Sequence, residues 1–125
     1  MSAMFSDCRS LTELNVTSFD TASVKNMGSM FDQCESLTEL DIIGFDTDSV
    51  TDMGWMFYGC RSLRSLVLFN FVTDSVTDME RMFCGCASLV FLDLDSFDFS
   101  AAAKDRKSTR LNSSHIATSR MPSSA

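Results

Sequence analysis

The chain has 125 residues, 45% of them hydrophobic, and a formal net charge of −7, which bounds it at one ordinary domain with enough apolar content for a core. The charge is uneven: residues 1–100 hold 16 Asp and Glu against 5 Lys and Arg, a balance of −11, while residues 101–125 hold 1 acid against 5 bases, a balance of +4. An acidic body excludes nucleic acid as the main partner, since phosphates need Lys and Arg to displace their counterions, and no run is long and apolar enough to insert directly into a membrane.

In chain order, the first feature is that the pattern has no lead-in. "MSAMF" at the start aligns with "MGSMF", "MGWMF" and "MERMF" further on, so Met1 shares a column with Met27, Met53 and Met79. Met1 reads as an internal residue and the chain as a fragment, entered mid-repeat and without the polar end unit that a stacked array needs. Four copies follow at a period of 26 residues without a gap: 4–29, 30–55, 56–81 and a truncated 82–100.

Each copy carries L-x-x-L-x-[LVI]: Leu11, Leu14, Val16; Leu37, Leu40, Ile42; Leu63, Leu66, Leu68; Leu89, Leu92, Leu94. Alternation at the end of this block places one residue type inward and the next outward on a short strand. The other half of each copy has a helical period. Val50, Met53, Met56, Phe57 and Cys60 fall at i, i+3, i+6, i+7 and i+10, and predict about two turns of helix with one buried stripe. Ser49-Val-Thr-Asp52 and Ser75-Val-Thr-Asp78 fit a helix capping box, with Ser23-Val-Lys-Asn26 a weaker version. The expected fold is an α/β repeat: a leucine-rich-repeat-like solenoid over 1–100, one short parallel strand and one short helix per copy.

The M-F-x-x-C-x-S-L, F-D-T-x-S-V and M-x-x-M-F blocks resemble those of the BspA-like leucine-rich repeat surface proteins. The resemblance implies a protein displayed at the cell surface or secreted, with a non-enzymatic role in adhesion or protein binding. It also implies that Phe19, Phe45, Phe71 and Phe97 form a stacked column where other leucine-rich repeats keep an Asn ladder. An intracellular scaffold on the same solenoid, or the repeat region of a larger enzyme, are the alternatives.

Cys8, Cys34, Cys60 and Cys86 occupy one column of the apolar stripe and read as structural, where free Cys acts as a small hydrophobe. Cys84 stands in the column of Ser6, Asp32 and Tyr58 and reads as exposed. No His lies in the repeats, so no catalytic triad can be assembled and no metal or other cofactor is expected. Asp46, Asp48 and Asp52 read as turn and cap residues before they read as calcium ligands. The candidate binding surface is the outward strand face: Glu39, Asp41, Ile43, Val67, Phe69, Phe91 and Asp93, acidic in its first half and apolar further on, for an unknown protein or surface ligand.

From Asp105 the register is lost, and residues 101–125 read as a disordered tail. Asp105–His115, "DRKSTRLNSSH", and Ser119–Ala125, "SRMPSSA", resemble the translation of a sequencing adapter and its continuation. The only His and the only Pro of the chain lie there, and are set aside for functional reasoning.

Overall fold

The 26-residue period is carried by backbone hydrogen bonds between copies in the computed structural model, which describes residues 1–94 and 96–98. The four strands are β1 (Glu13–Asn15), β2 (Glu39–Asp41), β3 (Ser65–Val67) and β4 (Phe91–Asp93). β1 pairs with β2 and β3 with β4, both parallel and both in the 26-residue register, Glu13 opposite Glu39 and Ser65 opposite Phe91. They make two two-stranded sheets; β2 and β3 are neighbours but are not ladder-paired.

The expectation of one helix per repeat is overturned. Among the described residues there is no helix, and the apolar stripe of each copy lies on a chain of tight turns, in segments 1–8, 27–34, 53–60 and 79–86. The destination of the N–H groups explains why. In the third segment Met56, Tyr58 and Cys60 donate back to the carbonyls of Met53, Trp55 and Phe57, three residues earlier, at 3.1–3.3 Å. The alternate donors Trp55, Phe57 and Gly59 leave the segment and bond Glu80, Met82 and Cys84 of the next copy at 2.8–2.9 Å. A helix would commit these donors to its own i−4 carbonyls. Here half of them knit one copy to the next.

Residues with positive φ recur at every fourth position and prevent winding. Trp55 (62°) and Gly59 (74°) have the left-handed conformation, as do Ser29 and Gln33, Arg81 and Gly85, and Ala3 and Asp7 in the other copies. Glycine takes this region without a steric penalty, whereas Trp and Arg do not. Their presence in the same columns shows that stacking, not local preference, sets the conformation. Spacing matters too. Parallel strands repeat at about 4.8 Å, whereas a helix needs about 10 Å, so flat turns let both sides of each copy keep strand spacing.

The core follows from that close stacking. Phe5, Phe31, Phe57 and Phe83 form a continuous column with centroids 5.7, 5.6 and 5.6 Å apart and interplanar angles of 5°, 7° and 3°. Met27, Met30, Met53, Met56, Met79 and Met82 are fully buried around it, with Leu37, Leu63 and Leu66 from the strand side. Offset stacking of aromatic rings adds to the area they bury. The other expected aromatic column is only partly a stack. Phe71 and Phe97 lie parallel at 6.3 Å, whereas Phe19 tilts onto Phe5 at 6.0 Å and 36°. Phe45 is buried among the core side chains.

The polar ladder of the fold is threonine. Among the described residues Thr21, Thr47 and Thr73 are the buried polar ones, and each brackets the next copy. Thr47 Oγ1 donates to the Val72 carbonyl and accepts the Val72 N–H, both at 2.8 Å; Thr21 does the same at Asp46 and Thr73 at Asp98. The expected capping boxes serve turns instead. Asn26, Asp52 and Asp78 accept the N–H two residues on, from Gly28, Gly54 and Glu80, at 2.8–2.9 Å, and link to one another as parallel bridges. Asp95 and the tail over 101–125 lie outside the described residues.

Thr47→Val keeps the shape but leaves the Val72 N–H and carbonyl without their partner. It is expected to lower unfolding free energy by about 2–3 kcal/mol in urea titration, and an unchanged midpoint would contradict the ladder.

Candidate functional site

The strand face is built by the pleat of β1 to β4. Leu66 and Leu92 point into the core while their neighbours Ser65, Val67, Phe91 and Asp93 are exposed or half-buried. Glu39, Asp41 and Ile43 are exposed, and Phe69, just beyond β3, is 53% exposed. The structure therefore places all seven candidate residues on one side. Phe91 and Asp93 are more covered than Glu39 and Asp41.

Two clefts lie on this face. One, of about 350 Å³, is lined by Glu39 through Ile43 on one side and by Ser65 and Val67 on the other, and it follows the unpaired seam between β2 and β3. The second, of about 230 Å³, runs between β1 and β2 and shares Glu39, Leu40 and Asp41 with the first. Neither lining contains Lys or Arg, while Glu13, Glu39 and Asp41 all contribute carboxylates. At the end of the seam the Asn70 side-chain amide donates to the Ile43 carbonyl, and its Oδ1 is buried without a partner. The sequence held no signal for this seam, because the Leu columns run through it unbroken.

The Cys column has the chemistry of packing. Each buried thiol donates to a Phe carbonyl of the preceding copy at 3.2 Å: Cys34 to Phe5, Cys60 to Phe31 and Cys86 to Phe57. Burial raises the pKa of all three, Cys34 to about 11 with help from the neighbouring Cys8, and Cys86 to about 12. Thiols held this far above neutrality are poor nucleophiles. All five cysteines are free, and Cys8 and Cys84 are half-buried. Among the described residues no group of three or more His, Cys, Asp or Glu side chains could hold a metal ion. Asp46 and Asp52 accept the N–H groups of Asp48 and Gly54, two residues on, as turn residues do.

Asp32 was not singled out by the sequence. One of its oxygens is buried and has no hydrogen-bond partner. Desolvation raises its pKa above 3.8, Asp7 adds to the rise, and Arg9 opposes it. Arg9 is itself engaged with Asp7 at 3.1 Å and Glu35 at 2.6 Å.

A family profile matches residues 1–118, and it describes "Mycoplasma protein of unknown function, DUF285". The chain belongs to this family. DUF285 is a surface-type repeat family found in BspA-like proteins. No curated protein and no solved structure matches the chain. Among the described residues of this DUF285 chain, no helix is long and apolar enough to cross a membrane.

Two outcomes are expected in solution. A thiol reagent at pH 8 should modify Cys84 and Cys8 in the native protein and reach Cys34, Cys60 and Cys86 only on unfolding, as peptide mapping would reveal. Asp32→Asn should raise stability at pH 7 and change nothing at pH 3. A carboxyl whose pKa is raised by folding gives its full stability below the unfolded value and loses it as pH rises through the folded one. Equal melting shifts at both pH values would contradict this.

Proposed function

We propose that this DUF285 chain is a non-enzymatic binding module, displayed at the cell surface or secreted, that takes a protein ligand on its strand face. The observation that carries the reading is the cleft along the β2–β3 seam. Its lining combines the carboxylates of Glu39 and Asp41 with exposed Ile43 and half-buried Val67, and Phe69 stands exposed just beyond β3. Exposed apolar groups with a polar rim are the composition of a contact surface. Electrostatic complementarity then favours a ligand that carries Lys or Arg beside an apolar anchor. Membership of a surface-type repeat family supports the display of such a face.

The test is selection from a displayed random-peptide library. Enriched peptides should combine basic and apolar residues, and Ile43→Ser with Phe69→Ser should weaken them by at least about tenfold, equal to 1.4 kcal/mol. Glu39→Gln with Asp41→Asn should reduce the salt dependence of binding. Selection of acidic peptides, or binding indifferent to all four changes, would overturn the reading.

A further inference from the structure

On the turn side of the molecule, away from the strands, the surface columns change character in the segment 53–60. The column Ala3, Ser29, Trp55, Arg81 and the column Ser6, Asp32, Tyr58, Cys84 bring the chain's only Trp and only Tyr together. Their ring centroids are 4.5 Å apart, and the Arg81 guanidinium lies 5.7 Å over the Trp55 ring. Tyr58 thus packs against a Trp that a cation covers in turn.

In front of Tyr58 is a slot of about 330 Å³, lined by Gln33, Tyr58, Gly59, Arg61, Cys84, Gly85 and Ala87. Two glycines of its lining, Gly59 and Gly85, stand where the first two copies have Asp7 and Gln33. A Cβ on Gly59 would lie 2.9 Å from the Gln33 side-chain oxygen, so the Gln33 carboxamide rests on the bare glycine backbone. The lining thus holds two glycines, one tyrosine, one thiol, one carboxamide and one guanidinium. Arg61 forms no ion pair among the described residues. The volume is at the lower end of small-molecule sites, at roughly 300–1,000 Å³.

We propose that this slot is a saccharide-binding site for a neutral pyranose or a short neutral oligosaccharide. A pyranose presents a C–H face, which suits the electron-rich face of Tyr58, and a rim of hydroxyls that both donate and accept. Gln33 offers an acceptor and two donors, and Arg61 a fork of donors, which together match adjacent hydroxyls. An anion fits worse, because Asp7, Asp32 and Glu35 crowd the neighbouring columns and the body is strongly acidic. A wholly apolar ligand would leave Gln33 and Arg61 without partners. The site is separate from the strand face.

The sole Trp packs against the Tyr58 ring and serves as the reporter. Titration of the full chain with glucose, galactose, N-acetylglucosamine and their β-linked disaccharides, followed by Trp55 fluorescence and by saturation-transfer NMR, should give a saturable response. Tyr58→Ser restores the residue of the first copy and should weaken that response by at least about tenfold. Tyr58→Phe should keep it. Ala87→Gln places a long side chain in a column that already holds Arg9, Glu35 and Arg61, so folding is safe, and it should block the slot. Absence of saturation by every sugar up to about 100 mM, far above the millimolar range of weak sites, would overturn the proposal. So would equal binding by Tyr58→Ser, or a response to acetate and phosphate but not to neutral sugars.

Discussion

Everything in this protein hangs on where alternate N–H groups of the turn segments go. Trp55, Phe57 and Gly59 each donate to the next copy, and Ser29, Phe31 and Gln33 do the same one copy earlier. Because the donors are spent between copies, the segments cannot wind into helices, and because the bonds repeat at one register, every residue stands over its counterpart 26 positions away. Uniform columns then become physical objects: a stack of Phe rings, a row of thiols each bonded to a Phe carbonyl, a ladder of Thr hydroxyls. A single buried polar group in such a stack is costly unless its partner lies in the next copy, and each Thr finds that partner twice.

The same register divides the molecule into an interior that repeats and a surface that does not. Inward columns keep Phe, Met, Cys and Leu in copy after copy, since a change of volume would be felt by both neighbours. Outward columns are free of that constraint. The strand face passes from Glu13 and Glu39 to Ser65 and Phe91 in one column, and the turn side passes from Ser6 and Asp32 to Tyr58 and Cys84 in another. Chemical individuality is thus confined to two sides, one acidic with apolar anchors, the other aromatic with a guanidinium and a carboxamide. These are different surface chemistries on one scaffold.

Family membership fits this division. The chain belongs to a surface-type repeat family of unknown function, and what the copies of this chain share is the interior. The features that would choose a ligand belong to the outward columns of this chain, in the carboxylates of the β2–β3 cleft and in the Tyr58 slot.

Much of the fold was legible because a repeat writes its own alignment. The period, the buried columns of Leu, Met and Cys and the alternation that turns Glu39, Asp41 and Ile43 outward all follow from residue order, since burial of apolar side chains depends on pattern alone. The turn conformation that replaces the expected helix was not legible. The stripe Val50, Met53, Met56, Phe57, Cys60 buries equally well on a helix and on stacked turns, and only the neighbouring copy, by accepting the N–H groups of Trp55 and Phe57, decides between them. Thr47 shows the same limit: it stands in every full copy as part of F-D-T or F-V-T, yet its partner at Val72 exists only after stacking. The seam between β2 and β3 and the slot lined by Gln33, Tyr58 and Cys84 are likewise products of three-dimensional neighbourhood. Residue order determined what is buried and at what interval; tertiary structure decided the backbone's shape and which surface groups meet, because both depend on hydrogen bonds and contacts made between copies rather than within one.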